Sequence, residues 1–184
     1  MIVTEPTTLS EAKALIAKLT EYAFEDSLTC IPNRRAFDFH LEQQDKKTGL
    51  GLMILDIDHF KIFNDTFGHQ AGDRLLTGIC SLWQPVVKRQ DDFIARYGGE
   101  EFAVITNGLS AKYLPHLAAA MHEATRASGK YTPNGQAVTI SIGGAIAFPD
   151  ENEPTGYDVH SLIAEADRNL YVAKNNGRNC SAFS

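Results

Sequence analysis

Two apolar segments, DFIARY (residues 92–97) and EFAVIT (residues 101–106), are separated only by Gly98, Gly99 and Glu100. A connection that short leaves no room for a crossover helix, so the two must fold back on each other as a β-hairpin with a glycine turn. This excludes an all-parallel sheet. Around the hairpin the chain alternates in the order helix, strand, helix, hairpin, helix, strand, helix, with no internal repeat and no low-complexity stretch. The expected architecture is α+β: a central, mostly antiparallel sheet flanked by helices.

The individual elements follow from periodicity and punctuation. Thr8 and Glu11 fit a capping box, and Ala12, Leu15, Ile16, Leu19 and Ala23 then share one helical face, which makes residues 1–25 a linker or pairing helix. The compact domain is expected from residue 26, where DSLTCIPNRRAF supplies a turn at Pro32 and a helix to about Gln43. LGLMILDID (50–58) is a buried strand by length and boundaries. A helix from about Gln70 to Val87 carries Leu75, Leu76, Ile79, Leu82, Trp83 and Val86 as its core stripe. Ser110 is a candidate cap for a helix to about Ser128, with Pro115 in its second turn. VTISIGGAIAF is a strand in which Gly143 and Gly144 suggest a bulge, and Asp158 caps a last helix that Gly177 stops.

At 184 residues and 43% apolar content the chain suffices for one core, and its net charge of −6 offers no broad basic field for tracking a nucleic-acid backbone. Cys30, Cys80 and Cys180 are odd in number and far apart, with no zinc spacing, so a reducing compartment is expected. No run approaches the ~18 apolar residues of a membrane span, and MIVTEPTT is not a signal sequence, so the chain reads as soluble and cytoplasmic. P-loop and G-x-S-x-G motifs are missing. The six histidines show no metal-ligand spacing, and His116 and His122 read as exposed helix residues.

Chemistry concentrates in acids. Asp56 and Asp58 close the first strand on one face, where carboxylates can hold a hard cation or simply form a solvated strand end. Glu100 and Glu101 sit at the hairpin tip behind two glycines that permit positive φ. Lys61 lies just past the first acids, and Lys174 and Arg178 close the last helix, where they also suit its dipole. The sum is an inventory for a metal ion and phosphates.

These residues resemble a family. RYGGEEF (96–102) resembles the signature of the diguanylate cyclases, the GGDEF domains; DSLTCIPNRR, DIDHFKIFNDTFGHQAGD and YVAKNNGRN resemble three further blocks of that family in the same order, together covering residues 26–179. Cys30 and Ile31 stand where the family usually has glycine and leucine. The resemblance implies a nucleotidyl-cyclase or polymerase-palm fold over residues 26–184, and synthesis of cyclic di-GMP from two GTP with release of two pyrophosphates.

Carried over position by position, the resemblance implies Asp56, the Ile57 carbonyl, Glu100 and Glu101 as ligands of two Mg²⁺ per GTP site, with Mn²⁺ an alternative. It implies Glu100 as acceptor of the 3′-hydroxyl proton and Lys61, Lys174 and Arg178 on the triphosphate, with backbone amides around His59 and Phe60. Asn64, His69 and Asp73 match nucleoside contacts; a carboxylate at 73 can accept from guanine N1–H and the amino group, whereas adenine presents an acceptor at N1. Arg89 and Asp92 match an R-x-x-D site for inhibitory product. Because each chain offers one GTP half-site, the resemblance further implies a homodimer, at least transient, and control by an input domain or partner. The rival readings are a domain that only binds GTP or cyclic di-GMP, and a cyclase for another dinucleotide.

Overall fold

The LGLMILDI segment forms β1 (Leu50–Ile57), and its apolar run is continuous because both faces are covered. Leu50, Leu52 and Ile54 enter one core, and Met53, Leu55 and Ile57 the other. The computed structural model describes residues 8–44, 48–107, 113–129, 135–149 and 157–184. Around β1 stand α1 (Leu9–Phe24), α2 (Arg34–Glu42), α3 (Phe60–Phe67), α4 (His69–Trp83), β2 (Phe93–Gly98), β3 (Glu101–Asn107), α5 (Tyr113–Ala127), β4 (Ile140–Ala147), α6 (Val159–Asn175) and β5 (Ser181–Phe183). The sheet runs β2-β3-β1-β4-β5 and is antiparallel throughout except for the parallel β4–β5 pair. Residues of α4 and α5 fill one core and residues of α2 and α6 the other. This is the α+β architecture expected from the hairpin.

Local chemistry explains most boundaries. Thr8 and Glu11 make the reciprocal capping box, and Asp158 accepts from the His160 and Ser161 amides at the start of α6. The α4 helix stops at Trp83 rather than Val87 because Pro85 has no N–H to continue it. Its buried stripe takes in Cys80, while Leu82 and Val86 are half-buried. Pro115 falls in the first turn of α5, where its missing N–H costs nothing; Ser110 lies outside the described residues.

Two expectations are corrected. Gly143 and Gly144 make no bulge: β4 keeps unbroken register with β1, Gly143 opposite Ile54 and Gly144 opposite Met53. Gly143 is small because α6 lies against it, so that an added Cβ would meet the Leu170 Cα at 2.6 Å. The irregularity falls instead in β2, between Arg96 and Gly98. His122 is buried rather than exposed, with Nε2 2.9 Å from the Ser181 hydroxyl; burial pushes its pKa down and favours the neutral ring. His116 is exposed as expected.

Candidate active site

The acids meet at one end of β1. Asp56 and Glu101 are directly opposed across the β1–β3 ladder, and Glu100 occupies the turn before β3, where Gly99 adopts φ 46°. Like charges directly opposite one another repel. Lys174, in the last turn of α6, places Nζ 2.8 Å from Asp56 Oδ2. Burial raises the Asp56 pKa, Lys174 opposes that rise, and Glu100 and Asp58 add to it. Glu101 is likewise raised, first by burial and then by Asp56. These carboxylates are held together against their mutual repulsion and offset by one ammonium.

Asp58 does not join them. The residue is 3% exposed, and its carboxylate accepts from the Ser141 hydroxyl (2.7 Å), the Thr139 hydroxyl (2.7 Å) and the Asn179 amide (3.0 Å). Of the two aspartates that close β1, only Asp56 is left toward the hairpin tip.

Among the described residues, no three His, Cys, Asp or Glu side chains converge as a ready-made metal cage. The donor set nevertheless fits Mg²⁺, which binds through one or two carboxylates and completes its shell with water and substrate phosphates. Asp56 and Glu100 are all-oxygen donors with excess negative charge, the Ile57 carbonyl follows on the same strand, and the Lys174 ammonium already marks Asp56 as a cation position. Next to them α3 begins after His59, whose backbone is left-handed (φ 60°) and whose side chain does not cap the helix. First-turn N–H groups without a side-chain cap suit an anion. Phe60 itself is a core residue, while Lys61 is exposed on that first turn.

Helix α3, which the sequence reading did not separate from the loop after β1, ends at Gly68, and α4 starts at once. The corner brings Asn64 against the first turn of α4, which carries His69 and Asp73 one turn apart on an exposed face. Asn64 Oδ1 is buried with no hydrogen-bond partner. It lies where a Cβ on Gly72 would be, with Asn64 Cγ only 2.9 Å from that position. Gly72→Ala is therefore expected to push Asn64 out of this rotamer and raise the KM for a nucleotide about tenfold, the loss of one hydrogen bond, with kcat little changed; steady-state kinetics and a melting curve check it.

One residue with a clear task here received no role from the sequence. Arg96 donates from Nε and an Nη to the Gly99 carbonyl (3.0 and 2.8 Å) and from the other Nη to both Asp26 oxygens (2.9 and 3.1 Å). It fixes the turn that carries Glu100 and ties it to the segment after α1. The signal was present: an arginine two residues before a glycine pair, with an aspartate in the opening turn.

The family model for the diguanylate cyclase GGDEF domain matches residues 23–180. The chain belongs to the GGDEF-domain family. Diguanylate cyclase VdcA of Vibrio cholerae is 37% identical over 179 residues, covering 93% of this chain and 50% of that protein. An uncharacterized membrane protein of Staphylococcus aureus is 31% identical, covering 86% of this chain and 45% of its own length. The chain thus spans about half the length of these relatives. Among solved structures, the coiled coil and GGDEF domain of DgcB from Caulobacter crescentus in complex with c-di-GMP superposes with a TM-score of 0.82 at 31% identity, covering 96% of this chain and 93% of that one. Diguanylate cyclase SiaD from Pseudomonas aeruginosa, solved with its activator SiaC, gives 0.75 at 27% identity, covering 95% and 67%. No helix among the described residues is long and apolar enough to cross a membrane.

In this GGDEF domain Arg89 and Asp92 lie before β2, at the opposite end of that strand from the acids, about 20 Å away at the rise of a β-strand. Both are engaged by Tyr113 of α5. The Arg89 guanidinium stands 4.6 Å from the Tyr113 ring centroid, and the Tyr113 hydroxyl donates to Asp92 Oδ2. Burial and the Asp92 bond push the Tyr113 pKa up to about 12. Asp92 Oδ1 is buried without a partner.

Proposed function

We propose that this GGDEF domain is a diguanylate cyclase that condenses two GTP into cyclic di-GMP. The observation that carries the reading is the trio Asp56, Glu100 and Glu101 held against their own repulsion beside Lys174 and the uncapped start of α3. In each of two equivalent steps the 3′-oxygen of one GTP attacks the α-phosphorus of the other, a P–O bond forms, the bond to the β-phosphate oxygen breaks and pyrophosphate leaves. Mg²⁺, or Mn²⁺ in its place, two ions per GTP, would neutralise the developing phosphate charge, held by Asp56, the Ile57 carbonyl, Glu100 and Glu101. Glu100 takes the 3′-hydroxyl proton. Lys61, Lys174 and Arg178 hold the triphosphate with the amides near His59 and Phe60, and the Lys174 ammonium now paired with Asp56 would turn to phosphate when a metal ion takes that carboxylate. Asn64, His69 and Asp73 contact the nucleoside, Asp73 accepting from guanine N1–H and the amino group, and the unpartnered Asn64 oxygen awaits a donor. The work is positioning and electrostatic stabilisation, as phosphoryl transfer requires.

One domain holds one GTP, so two chains meet face to face. Residues 1–25 would serve as the linker or pairing helix: α1 leaves Leu9, Ile16, Leu19 and Tyr22 exposed. Residues 26–184 would be the cyclase domain, and an input domain or partner would set the pairing. The compartment proposed is the cytoplasm, where GTP is available. The test incubates the chain with GTP and Mg²⁺ at several protein concentrations and separates products by HPLC. Specific activity is expected to climb with concentration until dimers saturate; a value that stays flat well below the dimer dissociation constant contradicts the two-chain mechanism.

Product would return to Arg89 and Asp92 as an inhibitor, with its guanine taking the place of the Tyr113 ring on Arg89. Arg89→Ala is expected to weaken cyclic di-GMP binding by calorimetry and to flatten the inhibition curve, while initial rates at low product stay at the wild-type level. An unchanged affinity and inhibition curve would leave the segment as a charged turn braced by Tyr113.

A further inference from the structure

Asp58 is within two residues of Asp56, yet both of its oxygens are turned away from the acid cluster. Oδ1 accepts from Ser141 and Oδ2 from Thr139, both around the start of β4, and Oδ2 also accepts the backbone N–H of Asn179. Its own N–H donates to the Thr139 carbonyl at 2.9 Å. One buried carboxylate thus joins the end of β1, the start of β4 and the turn between α6 and β5. Three donors converge on it, and at 3% exposure water does not take their place.

Backbone strain collects at the same point. Only four non-glycine residues among those described have positive φ, and three of them are His59, Arg178 and Asn179, at 60°, 64° and 49°. Left-handed backbone in residues with a Cβ persists where surrounding bonds hold it. Arg178 and Asn179 are consecutive, and the bond that reaches into this turn from the acid-bearing strand is the one from the Asn179 amide to Asp58. Just upstream, Lys174 meets Asp56. The end of α6 with Lys174 and the turn with Arg178 are therefore both tied to the end of the strand carrying the acid.

We propose that Asp58 is the positioning residue that fixes Arg178, and with it the Lys174 end of α6, over the phosphate-binding side of the site, acting through the Asn179 peptide N–H. This rests on the reading that the site holds the triphosphate of GTP. It gives the second aspartate of the pair a task separate from metal ligation: its two oxygens serve as fixed acceptors. Asparagine, flipped so that its oxygen faces Thr139 and Asn179 and its amide faces the Ser141 oxygen, satisfies the same partners. Alanine satisfies none.

The test uses 3′-deoxy-GTP, which lacks the attacking hydroxyl and so reports binding without turnover, and 3′-deoxyguanosine, which lacks the phosphates. Asp58→Ala is expected to weaken 3′-deoxy-GTP binding about 10–100-fold, the range for an outer-shell partner, with 3′-deoxyguanosine binding unchanged. Asp58→Asn is expected to restore triphosphate binding and synthesis. In the wild type, amide hydrogen exchange at Asn179 is expected to be slow, a readout that holds even if Asp58→Ala does not fold. The proposal is overturned by a freely exchanging Asn179 amide in the wild type, or by a folded Asp58→Ala protein that binds 3′-deoxy-GTP normally. It is also overturned by a folded Asp58→Asn protein that loses the triphosphate, since charge and not acceptor geometry would then be in control. A wild type that shows a protected Asn179 amide but binds no 3′-deoxy-GTP removes the GTP reading itself, and the phosphate role with it.

Discussion

Replacing Glu100 with glutamine is expected to lower the rate of cyclic di-GMP formation by about 10²–10⁴-fold, the usual contribution of a positioned proton acceptor, without lowering the melting temperature. The two effects separate because Glu100 sits in the turn between β2 and β3, outside both cores, and its charge adds to the repulsion on Asp56. Glutamine keeps the shape, removes that repulsion and cannot accept the proton as a carboxylate does. HPLC of a GTP incubation beside a thermal melt measures both. Normal turnover by a well-folded Glu100→Gln protein would remove the metal and proton-acceptor roles together.

The largest structural effect is expected at Gly143. A Cβ there runs into the backbone of α6 at Ala166 and Leu170, and a helix backbone cannot rotate away as a side-chain tip can. Overpacking in a filled core typically costs about 1–3 kcal/mol and sometimes more. The upper end applies here, which for a domain of this size lowers the melting temperature by roughly 6–12 °C. Activity should fall further than stability. Moving α6 outward also moves Lys174 off Asp56, so Gly143→Ala is expected to raise the KM for GTP even at a temperature where the protein is fully folded. A melting curve paired with KM at low temperature tests this, and a wild-type KM in a destabilised protein would show that α6 does not carry the site.

The architecture was legible because its signals are strong and local. A two-glycine hairpin, an apolar run too short for a helix and a Thr8–Glu11 capping box each permit few alternatives, and all three appear where expected. What stayed hidden depended on contacts distant in sequence. Nothing near Gly143 announces that α6, more than twenty residues later, presses on it, and so a glycine pair in a strand suggested a bulge. His122 is a polar residue near the end of a helix, and its contact with Ser181 of β5, which lies alongside β4, comes from almost sixty residues later. The same limit applied to the site. Spacing placed Asp56 and Asp58 on one face, but the partners that set them apart, Lys174 on one and Thr139, Ser141 and Asn179 on the other, come from the far end of the chain. Arg96 was visible as a letter in a motif, and its grip on Gly99 and Asp26 became a role only in three dimensions.

The enclosure of β1 bears on how a chain of this kind can diverge. The strand has a neighbour on each edge and a core on each face, so an insertion or a polar replacement along it has nowhere to go. Asp56 is the first position along it where solvent reaches the strand. A protein can therefore exchange much of its surface and lengthen its loops while the spot on which the acid stands stays put. Packing alone fixes the height at which the acid leaves the core.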